Sequence, residues 1–211
     1  MATIKLRPYK SLVRQRQAND TRSRIVKATR QLLQSEGYAG MTVEAIAQRA
    51  EVSAQSVYAK FKSKTGILIA LLDQSMLESD YEKVVQQALG MSDPESRLRL
   101  SARVARQIRG AQSATFDLMR GAGVVAPELA KVGRQRERLR YDKEEGTITF
   151  LRESRRLRPG LTHKAARDLF WMLTGGDVYR MLVTERRWSP QQYEDWLADT
   201  LVSSLLDKRG K

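Results

Sequence analysis

Lys60, Lys62 and Lys64 stand at alternate positions, and Lys5, Arg7, Lys10, Arg14 and Arg16 precede them with Asp20 as the one acid of the first twenty residues. Cations at that density are suited to neutralising phosphates, as nucleic-acid binders do; a solvated basic face is the plainer alternative. Residues 1–64 hold 13 Lys+Arg against 4 Asp+Glu, a balance of +9, while residues 65–211 hold 25 against 20. Most of the net charge of +14 therefore sits in the first third of the 211 residues. That asymmetry points to a basic N-terminal module and a more neutral remainder.

Other chemistries are poorly supplied. No cysteine is present, which excludes a disulfide framework, a thiolate nucleophile and a Cys-based zinc site, and fits a reducing compartment. The single histidine, His163, stands near a helix start and reads as a surface residue rather than a base. Glu144-Glu145 and Glu194-Asp195 are adjacent pairs, which do not face one another on a helix. No glycine-rich loop follows a strand. The expectation is a protein that is not an enzyme, with no catalytic residues, no metal and no cofactor. The N-terminus lacks an apolar core, so a secretory leader is not expected. The longest strongly apolar run, Ile67 to Leu72, is far short of the ~20 residues that span a bilayer. A soluble, cytoplasmic protein without membrane contact is the expectation.

The elements that must position the basic residues all read as helix. From Thr21, with Asp20 or Thr21 as cap, Ile25, Ala28, Thr29, Leu32 and Leu33 recur at helical spacing until Gly37. Thr42 caps a short helix carrying Ile46 and Ala47, and Ser53 caps another that turns Val57, Tyr58 and Phe61 inward. Ser63 opens a long helix, Lys64 to Leu89, stopped by the Gly90–Pro94 stretch. Further helices are expected over Glu95–Gly110, Ser113–Gly121, Pro127–Arg158, Thr162–Trp188 and from Pro190 onward. With no strand or repeat in sight, the fold class is all-α: an N-terminal three-helix helix-turn-helix domain followed by a C-terminal helical bundle. The expected domains are a basic, flexible arm over 1–19, the helix-turn-helix domain over 20–66 and the helical bundle over 67–211; the resemblance given next implies DNA binding for the second, and effector binding and dimerisation for the third.

Two short helices joined by Glu51-Val52-Ser53 have the geometry of a helix-turn-helix, whose second helix enters the major groove. Residues Thr21–Leu72 carry an opening R-I-V-K-A-T helix, then G-Y-A-G-M-T-V-E-A-I-A, then V-S-A-Q-S-V-Y-A-K-F and K-S-K. This ordered set resembles the DNA-binding domain of the TetR family of bacterial transcriptional regulators. Three positions depart from the family pattern: Glu51 and Gln55 replace glycines, and Lys60 replaces an aromatic residue.

The resemblance implies roles for individual residues. Ser53, Ala54, Gln55 and Ser56 would open the recognition helix, with Gln55 long enough to pair with adenine. Tyr58, Lys60 and Lys64 would contact phosphates, the alternative for Tyr58 being a ring packed in the small core. Thr42 would offer a hydroxyl at a helix N-terminus. Residues 1–19 would either track the backbone and an adjacent minor groove or remain a solvated tail.

The segment Leu157–Leu201 is similar to sensor domains of the same family, whose last two long helices pair with their copies in a second subunit. On that likeness Val178, Leu182, Leu197, Leu201 and Leu205 would form a dimer interface. Phe116, Met119, Arg136, Tyr141, Phe150 and Trp171 would line an effector pocket, unless these aromatics are simply core. The stripe Leu129, Val132, Leu139 and Phe150 is interrupted by Arg136, Lys143 and Gly146. The interruptions fit either a polar pocket suited to an anionic effector or an exposed helix edge. The Gly175-Gly176 pair implies a kink or a close approach of helices. The expected function is a homodimeric regulator, most simply a repressor that leaves a roughly palindromic double-stranded operator when a small-molecule effector binds. An activator, a non-sensing regulator of the same fold and a sequence-indifferent nucleic-acid coat are the alternatives.

Overall fold

A computed structural model describes residues 9–77, 81–123 and 127–207, with side chains placed for all of these but 9–16, 72, 74–77, 81–82, 112, 114–123 and 128–129. The chain forms two compact units, Met1–Gln74 and Ser75–Lys211. Among the described residues both are helical, and the one β-type pairing is an isolated antiparallel bridge between Leu157 and Leu206. None of the described helices is long and apolar enough to cross a membrane.

In the first unit, helix α1 runs Tyr9–Gly40, so it begins well before the expected cap at Asp20 or Thr21. Those two residues have other partners: Asp20 pairs with Arg24 at 3.3 Å, and the Thr21 hydroxyl donates to the Gln17 carbonyl at 2.8 Å. The upstream Arg, Gln and Leu residues are good helix formers, which carries the helix back through the stretch expected to be a flexible arm. Gly37 leaves the helical path with a left-handed φ of 69°, and one more turn follows. Ile25, Val26, Ala28, Leu32 and Leu33 are buried, and buried Thr29 returns its hydroxyl to the Ile25 carbonyl at 2.7 Å.

Helix α2, Val43–Arg49, is capped by Thr42, and α3, Ala54–Phe61, by Ser53. Ile46, Ala47, Val57 and Phe61 close the small core. Tyr58 turns outward instead, 48 % exposed, because Val57 and Phe61 already occupy the inward stripe four residues apart. Helix α4, Lys64–Leu77, starts where the Gly66 N–H meets the Ser63 hydroxyl at 3.0 Å. The single helix expected over Lys64–Leu89 is described as α4 and α5, Tyr81–Gly90, and residues 78–80 between them lie outside the described residues.

The second unit departs further from the periodicity. Helix α6 runs unbroken over Pro94–Gly123, where two helices with a bend near Gly110 were expected. Gly110 serves packing: a β-carbon there would stand 3.3 Å from the Tyr179 hydroxyl. Helix α7, Pro127–Glu153, ends short of Arg158, and Arg155 turns the chain at a φ of 56°. Residues 156–158 then pair with the end of the last helix, through Arg158 N–H to Leu205 O at 2.8 Å and Asp207 N–H to Arg156 O at 3.0 Å. Leu139, expected on an inward stripe, is 53 % exposed.

Thr162–Trp188 is not one helix. Helix α8, His163–Leu173, stops at Thr174, and Gly175 is extended (φ −70°, ψ 155°). A four-residue turn α9, Gly176–Tyr179, and a π-helical segment, Arg180–Glu185, follow. A β-carbon on Gly175 would stand 2.9 Å from the Met172 carbonyl oxygen, so the glycine pair ends α8 outright. Helix α10, Pro190–Leu205, begins at the Ser189 cap. Leu98 and Ala102 of α6, Ile148 and Leu151 of α7, Ala166 and Phe170 of α8, and Tyr193, Leu197, Leu201 and Leu205 of α10 share one buried core.

Candidate nucleic-acid interface

The helix-turn-helix is held by its own hydroxyls. Thr42 Oγ1 accepts the Ala45 N–H at 3.0 Å, and Ser53 Oγ accepts the Ser56 N–H at 3.1 Å while sharing a 2.8 Å hydrogen bond with the Ser56 hydroxyl. These caps satisfy donors that a helix start leaves open, so both helices begin at defined residues. Between them Glu51 takes a left-handed φ of 55°, the backbone for which the family pattern uses glycine.

Helix α3 is two-faced. Val57 and Phe61 are buried, and the Arg22 guanidinium lies 5.2 Å from the centre of the Phe61 ring. Gln55 and Tyr58, one turn apart, are both exposed, while Ala54 and Ser56 are half-buried. An amide with paired donor and acceptor beside a phenol is a surface able to read a base edge and bind a phosphate.

The cations expected at phosphates are also fastened to the protein. Lys60 Nζ donates to the Ala18 carbonyl at 3.0 Å, tying α3 to α1. Lys64 Nζ donates to the Tyr38 carbonyl at 2.7 Å and lies 3.8 Å from the centre of the Tyr38 ring. Burial holds the Lys64 ammonium below the ordinary lysine range. The Tyr38 seat was missed in the sequence, although the G-Y-A-G stretch containing it was noted.

In the second unit Tyr141 and Trp171 meet edge to face at 6.2 Å, with the Tyr141 hydroxyl on Asp168 at 2.8 Å. Phe150 does not join them: it packs under the Arg97 guanidinium at 4.4 Å, nine residues and about 13 Å further along α7. Arg136 is half-buried and engaged with its surroundings. The side chains of Phe116 and Met119 lie outside the described residues. Of the residues expected at a dimer interface, Val178 and Leu182 are half-buried. Leu197, Leu201 and Leu205 are fully buried in the chain's own core, so a second copy could gain nothing from covering them.

Polar residues that the sequence reading passed over gather at the end of α8. Arg140 binds Glu144 Oε1 at 2.9 Å, Glu137 at 2.6 Å, the Trp171 carbonyl at 3.0 Å and the Thr174 hydroxyl at 3.0 Å. Burial pushes the Glu144 carboxyl up, against the pull of Arg140. The signal for this cluster was the run of arginines on α6 and α7, which periodicity alone does not assign.

Residues 25–71 match the model of a family described as bacterial regulatory proteins, tetR family. The chain is similar to the uncharacterized HTH-type transcriptional regulator YvkB of Bacillus subtilis (strain 168), 43% identical over 54 residues, which are 26% of this chain and 29% of that protein. The match thus spans less than a third of that relative. Among solved structures, NalD of Pseudomonas aeruginosa, secondary repressor of the MexAB-OprM multidrug efflux pump, superposes with a TM-score of 0.71 at 18% identity, covering 92% of this chain and 100% of NalD. SmeT in complex with triclosan gives 0.71 at 18% identity, covering 90% and 93%. A transcriptional regulator from Saccharomonospora viridis in complex with choline gives 0.69 at 17% identity, covering 90% and 100%. At these identities the structures establish the fold, while the family match falls on α1 to α4, where the helix-turn-helix lies. Over residues 25–71 the chain thus matches the tetR family of bacterial regulatory proteins, and beyond them it shares the fold of these solved structures.

Proposed function

We propose that this chain is a homodimeric, sequence-specific DNA-binding repressor, released from a roughly palindromic operator by a small-molecule effector bound in the second unit. The observation that carries the DNA-binding reading is the two-faced α3, with Gln55 and Tyr58 exposed opposite the buried Val57 and Phe61. A helix sealed on one side and polar on the other can enter a major groove without losing its core. Ser53, Ala54, Gln55 and Ser56 are the base-proximal residues in this reading, and Thr42, Tyr58, Lys60 and Lys64 the phosphate-proximal ones. Two copies would present two such helices to half-sites about one turn, ~34–36 Å, apart or a multiple of it. Effector release follows if the ligand binds the DNA-incompatible spacing more tightly than the compatible one. NalD is a repressor, and SmeT and the Saccharomonospora viridis regulator hold small molecules, which supports the same pairing of roles here.

Competition binding tests the reading. Full-length protein on a labelled genomic fragment at physiological salt is challenged with random-sequence DNA. A specific regulator prefers its site by about 10³-fold or more. Equal competition, with a steep salt dependence for both DNAs, is the result of a sequence-indifferent coat and contradicts the proposal.

A further inference from the structure

The corner where α1 meets the end of α3 carries more positive charge than the roles assigned above use. Lys60 Nζ reaches back from α3 to the Ala18 carbonyl of α1 at 3.0 Å. Arg22, four residues further and so on the same side of α1, lays its guanidinium 5.2 Å from the centre of the Phe61 ring. Arg22 is exposed, and no carboxylate comes within 4 Å of it among the described residues. Asp20, the acid two residues before it, is taken by Arg24 at 3.3 Å. A long exposed cation loses rotamer freedom when an anion orders it. Stacking on the buried Phe61 ring fixes Arg22 beforehand, so less freedom is lost on binding.

Lys62 is an independent observation at the same corner. It ends α3 with a left-handed φ of 66°, its N–H closing on the Tyr58 carbonyl at 2.9 Å. A β-carbon costs stability in that conformation, and glycine is the usual residue at a helix end of this shape. The lysine side chain recovers nothing within the fold. It is exposed and has no hydrogen-bond or carboxylate partner among the described residues. Backbone strain kept for a side chain without an internal partner points to a use outside the chain. Tyr58, also exposed, stands one turn before Lys62 on the same side of α3.

We propose that Arg22 and Lys62 are further DNA phosphate contacts, gripping the backbone at the end of α3 beside Tyr58 and Lys60. This rests on the DNA-binding reading given above and extends its phosphate surface onto α1. A guanidinium can hold two phosphate oxygens at once, and an ammonium acts as a point charge. Neither reads a base, so both add affinity for every sequence alike.

Equilibrium binding of the full chain to a random-sequence duplex, over a series of salt concentrations, tests the pair. Arg22→Gln and Lys62→Gly are each expected to reduce the slope of log affinity against log salt by about one per bound copy. Affinity at low salt is expected to fall about tenfold in each. Lys27→Gln removes the same charge from the side of α1 turned away from its buried stripe, and is expected to leave the slope nearly unchanged. Lys62→Gly also relieves the backbone, so its denaturation midpoint is expected to rise while its DNA affinity falls. A merely structural lysine would move both in the same direction. Native slopes in Arg22→Gln and Lys62→Gly overturn the proposal, as does an equally large change in Lys27→Gln. If the native chain prefers no sequence while the two variants lower the slope, the phosphate pair stands and the sequence-specific reading fails. If the native chain selects a site and the variants keep its slope, that reading stands and the pair fails. A chain that binds no duplex overturns both.

Discussion

Lys64, the first residue of α4, places its ammonium 3.8 Å from the centre of the Tyr38 ring and donates 2.7 Å to the carbonyl of that same residue. One side chain thus binds the last turn of α1 to the first turn of α4. The contact combines a cation–π interaction with a charge-assisted hydrogen bond, so it frames the helix-turn-helix as well as adding charge. Lys64→Met keeps the stem and removes both interactions. It is expected to lower stability by about 1–2 kcal/mol in denaturant titration and to weaken binding to all DNA sequences alike. A loss confined to one base position contradicts this role.

Glu51 holds a left-handed φ of 55° in the turn between α2 and α3. A residue with a β-carbon costs roughly 1–2 kcal/mol in that conformation, part of which glycine gives back through its greater freedom when unfolded. Glu51→Gly is therefore expected to raise stability by about 0.5–1 kcal/mol. A lower denaturation midpoint for the variant contradicts the strain.

Gly66 sits against the backbone carbonyl of Phe61, well inside the distance any β-carbon tolerates. Backbone has to move to admit even alanine, so Gly66→Ala is expected to cost about 2–3 kcal/mol and displace the start of α4. Gly133, with open space around its β-carbon position, is the control: Gly133→Ala is expected to be neutral or mildly stabilising. Equal effects of the two changes contradict the packing reason.

Asp93 opens α6, where its Oδ2 accepts the Ser96 N–H at 2.8 Å. That bond holds the Asp93 carboxyl below its ordinary value. A carboxyl depressed on folding adds stability above its unfolded value, near 4, and loses it as the pH falls through the folded value. Asp93→Ala is expected to cost about 1 kcal/mol at pH 7, with the gap narrowing below about pH 4. A gap constant between pH 7 and pH 3 contradicts the assignment.

Local chemistry made the first unit legible. The caps at Thr42, Ser53 and Ser63 follow from a hydroxyl residue ahead of each helix, and the buried positions of α1 to α3 follow the helical period, Tyr58 excepted. The second unit is less legible because tertiary partners decide its breaks. Gly110 stays helical because Tyr179 fills the space beside it, whereas Gly175 ends α8 where Arg109 and Arg140 meet the freed carbonyls. Periodicity places them the other way round, with a break at Gly110 and one helix running through Gly175. Arg99 and Arg106 of α6 form ion pairs across the unit, with Asp199 at 2.9 Å and with Glu194, and nothing in helical periodicity assigns such partners. Full burial of Leu197, Leu201 and Leu205 was invisible to periodicity, which marks an apolar face without saying what covers it.

The central claim is that α3 reads a specific sequence through Gln55. Selection of bound fragments from random DNA at physiological salt, run in parallel on the native chain and on Gln55→Ala, tests it most directly. The native chain is expected to select one roughly palindromic site, and the variant the same site with relaxed preference at one base pair per half, a change worth ~1–3 kcal/mol. Recovery of no common site from the native chain, or an unchanged site from Gln55→Ala, would contradict it.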